Sequence, residues 1–143
     1  MTPLKLEQKE SILNRLAFLE AEIEDLKKLE STTWKEYSTQ SEIRRNIERL
    51  AENVANACID IAKIILAGEA AEMPATYKEV IQKIYLIEII PQELSDEVIK
   101  LVDIRNTLAH QYLDIKWDKI KFFLKEGLRI VKTFASLVEK SIL

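Results

Sequence analysis

The sequence is poor in the residues that build metal, redox and phosphate-loop sites. It contains one cysteine and one histidine, which excludes an internal disulfide bond and a zinc cluster. Thr107 stands where a Glu-x-x-His pair would need a glutamate, which argues against a di-iron site. Two isolated glycines cannot form a glycine-rich phosphate loop. We therefore expect a protein that uses no metal and no cofactor.

Glycine and proline are scarce, and long apolar runs are absent. Two glycines, three prolines, 48% hydrophobic and 31% charged residues are typical of long helices rather than of a sheet protein or a disordered chain. No apolar run approaches the roughly 20 residues that a membrane span needs. The stretch Thr2-Pro3-Leu4-Lys5 lacks the core of a signal peptide. These features predict one all-α domain over residues 1–143, located in the cytoplasm and without a membrane partner.

The net charge of −3 is a modest argument against nucleic-acid binding by bulk electrostatics. The aromatic residues are scattered rather than interleaved with basic ones, so no platform for stacking single-stranded bases is visible. A nucleic-acid enzyme with this charge would need a local basic site. The candidates for such a site are Arg44, Arg45, Arg105, Lys116 and Lys119.

Apolar spacing and capping signals divide the chain into helices. Alternating steps of four and three from Ile12 to Leu26 predict a helix over about 4–30, started at Pro3. A capping box at Thr33 and a glycine at 68 predict one continuous helix between them. It carries small core residues that include Cys58, and we interpret it as the central helix.

Three further helices are predicted after a loop at 69–75. A capping box at Thr76 opens a short helix that Pro91 breaks, and the next helix begins at Gln92. Asp114 is the predicted N-cap of the last helix, which runs to about residue 142. The architecture expected is an up-and-down bundle of four to five helices. Two of them look too apolar for a monomer of this size, which suggests a homodimer.

One short stretch combines a guanidinium, an amide, an imidazole and a phenol. It is Arg105-Asn106-Thr107-Leu108-Ala109-His110-Gln111-Tyr112. At about 100° per residue, Arg105 falls in the middle of the apolar stripe of its helix. A cation there must be paired or line a cleft, because an unpaired buried charge is too costly. Asn106 and His110 are four residues apart and would lie on one flank of the stripe. On a regular helix, however, Arg105 and His110 would point about 140° apart.

The spacing Arg-Asn-x-x-x-His-x-Tyr resembles the signature of the HEPN superfamily, and specifically its minimal HepT-like toxins. The segment from Asn56 to Ala62 is similar to that family's long second helix, with Asn56 where the family usually carries a glutamate. The resemblance covers nearly the whole chain when helix lengths and order are included. It implies an all-α, metal-independent endoribonuclease, the toxin of a type II toxin–antitoxin pair. Its implied partners are RNA and a minimal nucleotidyltransferase antitoxin.

The resemblance also implies roles for particular residues. His110 would act as general base or acid, Arg105 would hold the phosphate, and Asn106 would orient the imidazole or donate to a phosphoryl oxygen. Two motif helices would face each other across a cleft in a homodimer, which would reconcile the directions of Arg105 and His110. A helix that loosens near Leu108 and Ala109 is the other way to reconcile them. The antitoxin would silence the toxin by attaching adenylate to Tyr112. Without that role, Tyr112 would be a boundary tyrosine that is half buried.

Two alternatives remain open from sequence. The chain could be a non-catalytic helical module that binds or assists a nucleotidyltransferase, or a plain dimerisation bundle that leaves Arg105 unexplained. Asn46, Asn53 and Asp60 recur at intervals of seven along one edge of the central helix. A solvated or partner-facing edge is the simpler interpretation of this polar line, and a catalytic edge is the other.

Overall fold

A computed structural model describes residues 3–69, 72–109 and 112–143. Within these ranges the chain forms six α-helices and no strand, which confirms the all-α helical bundle. The helices are α1 (Leu6–Leu29), α2 (Trp34–Thr39), α3 (Ser41–Ala67), α4 (Tyr77–Leu86), α5 (Gln92–Leu108) and α6 (Leu113–Ile142). None of the helices in the described part of the chain has the length and apolarity required to cross a membrane.

The four long helices form a ring of neighbours, in which α1 packs on α3 and α6, and α5 packs on α3 and α6. The two short helices, α2 and α4, cover parts of α3. Since α6 contacts α3 as well, every other helix contacts α3, which confirms it as the central helix. Cys58 of α3 is buried in the apolar core, and burial raises the pKa of its thiol to about 12. It is a core residue, as predicted.

The predicted continuous helix from 34 to 67 is wrong, because the chain breaks at Gln40. That residue is extended, with φ −109° and ψ 97°, and it both ends α2 and caps α3. The capping box at Thr33 does start a helix, as predicted. Tyr37 then packs fully into the core, and Arg44 donates from Nη1 to the carbonyl oxygen of Tyr37 at 3.0 Å. This bond satisfies a carbonyl that the broken helix leaves without a helical partner.

Three other predicted boundaries differ by a few residues. α1 begins at Leu6 rather than at Pro3, and Gln8 Oε1 accepts a hydrogen bond from the backbone N–H of Lys5 at 2.9 Å. α4 ends at Leu86, before Pro91, and the chain turns through Glu88 with a positive φ of 66°. α6 begins directly after its N-cap, Tyr112, so Asp114 lies in the first turn and is not the cap.

Candidate functional site

Arg105 lies in the last turn of α5 and is half buried. Val102 and Ile104 of the same helix are buried, whereas Arg105 is only partly buried. Its guanidinium therefore lies at the edge of the apolar core. There it lines two open cavities of about 520 and 350 Å³. The sequence predicted that this cation is either paired or lines a cleft, and Arg105 lines these cavities.

The guanidinium of Arg105 is held by an aromatic ring. Its Cζ atom lies 4.9 Å from the centroid of the Tyr77 ring, within the range of a cation–π interaction. Lys63 of α3 places its Nζ atom 5.0 Å from the centroid of the same ring. Within the described ranges, no carboxylate lies within ion-pairing distance of Lys63 or Arg105. Two cations thus share one ring without an acidic partner.

Tyr77 and Lys63 were not predicted from the sequence. Tyr77 is the first residue of α4, just after the N-cap Thr76, whose hydroxyl accepts from the backbone N–H of Glu79 at 3.1 Å. The capping signal at Thr76 predicted where this helix begins. Helical periodicity within one segment does not show which residues of α3, α4 and α5 meet, so the ring and its second cation were missed.

Asn106 is exposed beside Arg105 and lines both cavities. α5 ends two residues later, at Leu108, with Ala109 as its C-cap. His110, the predicted acid or base, lies outside the described residues.

Tyr112 occupies a different environment from the one predicted. It is the N-cap of α6 rather than a continuation of the α5 stripe, and its side chain is 71% exposed. Its carbonyl oxygen accepts a hydrogen bond from the backbone N–H of Lys116 at 3.3 Å, within the first turn of α6. The prediction of a half-buried Tyr112 is therefore wrong. It fails because α5 ends before the tyrosine, whose side chain lies outside the core.

The other predicted basic residues do not line the cavities at Arg105. Arg44 closes the end of α2, and Lys116 pairs with Glu48 at 3.1 Å, where both side chains are mostly buried. The Tyr37 hydroxyl donates to Glu48 at 3.3 Å, and burial and the Glu48 charge raise the pKa of Tyr37. Arg44 and Lys116 are thus occupied by structural contacts. Arg45 and Lys119 are exposed.

The polar line of α3 faces α1. Asn53 donates from Nδ2 to Glu22 of α1 at 3.2 Å, and Asp60 lies 3.9 Å from Arg15 of α1. Asn46 shares an open groove between these two helices with Asn53. These contacts support the non-catalytic interpretation of this edge.

The site uses another face of α3. Glu52 lines the smaller cavity at Arg105, and Lys63 lines the larger one. Asn56 is half buried and lies between these two residues in sequence, four residues after Glu52 and seven before Lys63. This spacing places all three on one side of the helix. The face that carries Asn56 is therefore the face of α3 that borders Arg105.

Comparison with known proteins agrees with this architecture. The mRNA nuclease HepT of Shewanella oneidensis is 24% identical over 131 residues, which cover 90% of this chain and 96% of the relative. A mutant form of the toxin–antitoxin MntA-HpeT superposes with a TM-score of 0.80 at 20% identity, over 90% of this chain and 97% of the other. A tri-AMPylated HEPN toxin of Shewanella oneidensis, in complex with its MNT antitoxin, gives a TM-score of 0.79 at 20% identity, over 90% and 96% of the two chains. At these identities, the structural likeness shows the fold.

The assignment to a family rests on the sequence match. Residues 19–138 match the family described as ribonuclease HepT-like. The matched span includes the central helix α3, the whole of α5 with Arg105 and Asn106, and most of α6. The chain belongs to the ribonuclease HepT-like family.

Proposed function

We propose that this protein is an endoribonuclease toxin whose active site contains Arg105, Asn106 and His110. The observation that carries the proposal is the state of Arg105, a cation on the wall of an open cavity with no acidic partner among the described residues. Such a guanidinium is available to an anion. RNA is the substrate that the name of the curated relative, mRNA nuclease, favours.

The proposed reaction is metal-independent cleavage by the adjacent ribose hydroxyl. His110 takes the proton from the 2′-hydroxyl, the 2′-oxygen attacks phosphorus, and the bond from phosphorus to the 5′-oxygen breaks. Arg105 binds the phosphoryl oxygens as their charge grows, and Asn106 donates to one of them. In a homodimer, Arg105 of one subunit and His110 of the other form each site. The leaving oxygen takes a proton from solvent, to which His110 gives up the proton that it removed. The products are a 2′,3′-cyclic phosphate and a 5′-hydroxyl.

The proposed control is adenylylation by a minimal nucleotidyltransferase antitoxin. The Tyr112 oxygen attacks the α-phosphorus of ATP, pyrophosphate leaves, and an AMP group stays on the phenol. The exposure of Tyr112 supports this assignment, as does the likeness of the fold to an AMPylated HEPN toxin bound to its MNT antitoxin. The added phosphate and nucleoside would exclude an RNA phosphate from the neighbouring site.

The decisive experiment compares the wild type with His110→Ala on a mixed pool of RNA in excess chelator. We expect wild type to cleave and His110→Ala to lose about 100-fold or more of the rate, which is the usual value of general acid–base catalysis. Mass spectrometry first confirms that Tyr112 is unmodified. Absence of cleavage by unmodified wild type would instead favour a non-catalytic module that binds a nucleotidyltransferase.

A further inference from the structure

The larger cavity at Arg105 extends the site beyond the predicted residues. It runs from Asn106 on α5 to Lys63 on α3 and to Thr76 and Lys78 at the start of α4. Asp103 is the single acidic residue among the described residues that line it, against three cations. Although the whole chain is acidic, this cavity is therefore locally basic.

Two of these cations contact the same aromatic ring. The ammonium of Lys63 and the guanidinium of Arg105 lie 5.0 and 4.9 Å from the centroid of one ring. The two charges are therefore at most about 10 Å apart. Like charges that share one ring repel, and an exposed cation–π contact offsets only about 0.5–1 kcal/mol. Anionic groups bound beside the two cations would offset this repulsion. The arrangement is that of a site prepared for a negatively charged ligand.

We propose that Lys63, held beside Arg105 by the ring of Tyr77, binds a backbone phosphate of single-stranded RNA next to the phosphate that Arg105 holds. The RNA strand then crosses from the end of α5 towards the start of α4. Tyr77 positions the two cations, and its hydroxyl takes no part. The inference rests on the proposed ribonuclease function for its ligand, but its test is a binding measurement rather than cleavage.

The first test removes the charge of Lys63. A labelled single-stranded RNA is titrated with the His110→Ala protein and with the same protein carrying Lys63→Gln, over a series of salt concentrations. We expect Lys63→Gln to weaken binding about five- to tenfold and to reduce the slope of log K against log salt by about 0.7, the value for one phosphate contact on a single strand. The matched control is Lys140→Gln, which changes the net charge equally near the far end of α6 and should leave the slope unchanged.

The second test separates the ring of Tyr77 from its hydroxyl. Tyr77→Phe keeps the ring and should bind RNA as the parent does, whereas Tyr77→Leu should weaken binding. The effects of Tyr77→Leu and Lys63→Gln should be less than additive when combined, because both act on one bound phosphate. Full additivity, or equal losses for Phe and Leu, would contradict the positioning role.

The outcomes separate the subsite from the proposed function. A salt slope for Lys63→Gln equal to that of Lys140→Gln overturns the subsite, even where wild type cleaves RNA. No binding of RNA by the His110→Ala protein overturns it as well. A reduced slope with Lys63→Gln supports the subsite, even where wild type cleaves no RNA and the ribonuclease proposal fails.

Discussion

Arg105 shows how a cation at the edge of an apolar core can remain available to a ligand. A carboxylate partner would neutralise the guanidinium and compete with an incoming phosphate. The Tyr77 ring instead offers a neutral, polarised surface at 4.9 Å, and the side chain keeps part of its surface in the cavity. The contact fixes the direction of the arginine without neutralising its charge.

Tyr112 is the residue at which cleavage and control can be separated. We expect Tyr112→Phe to cleave RNA at the wild-type rate, because the phenol is exposed and has no assigned role in proton transfer. The same variant should gain no mass of AMP when incubated with the antitoxin and ATP, and it should stay active. Mass spectrometry and the cleavage assay measure the two effects. Adenylylation of Tyr112→Phe at another residue, with loss of activity, would refute the assignment.

The residues of the site could be predicted only where they belong to one segment. Arg105 and Asn106 are adjacent in sequence, and the position of Arg105 in an apolar stripe indicated a cleft. Tyr77 and Lys63 reach the same cavity from α4 and α3, and no spacing within either helix indicates this. The burial predicted for Tyr112 failed because α5 ends at Leu108. Contacts between helices decide the first result, and the end of a helix decides the second.

At the scale of elements, the sequence predicted the long helices well and the breaks less well. The central helix, the glycine at 68 and the start at Gln92 agree with the structure. The break at Gln40 was missed because the stretch has no glycine or proline there. It depends on the burial of Tyr37 and on Arg44, which lies four residues into the next helix. A sequence pattern predicts the end of a helix only when residues near that end, such as a glycine or a proline, cause it.

The end of α4 carries backbone strain that a substitution can relieve. Glu88 has φ 66°, and Ile89 donates from its backbone N–H to the carbonyl oxygen of Ile84 at 2.9 Å, as in a Schellman motif. Glycine adopts this conformation without a steric penalty. Glu88→Gly should therefore raise the free energy of unfolding by about 0.5–1 kcal/mol. Urea denaturation followed by circular dichroism, at one protein concentration, measures the change.

A matched control for Glu88→Gly lies within a regular helix. Glu20 is an exposed glutamate within α1, where glycine should lower the free energy of unfolding by about 1 kcal/mol. Opposite signs for the two substitutions would show that the positive φ decides the effect. A loss of stability in both would contradict the assignment of strain to Glu88.

At the scale of the whole molecule, the bundle places the site at an edge of its central helix, α3. α3 is buried along most of its length by α1, α4, α5 and α6, so its polar residues are free to take part in chemistry only at its edges. The wall formed by Lys63, Tyr77 and Arg105 lies at such an edge, beside the connection from α5 to α6. The proposed dimer requires a second copy of the chain at this connection, with its own His110 beside the first Arg105.

Mixing two inactive proteins tests whether the site combines residues of two chains. Arg105→Ala and His110→Ala should each be inactive alone, but a mixed dimer would contain one site with both groups intact. If the chains exchange freely, about a quarter of the wild-type activity should return, since half of the dimers are mixed and each has one complete site. Native mass spectrometry verifies that mixed dimers form, and the doubly substituted protein mixed with wild type controls for dilution. Mixed dimers without activity would place Arg105 and His110 of each site in the same chain, because neither chain of a mixed dimer has both groups intact.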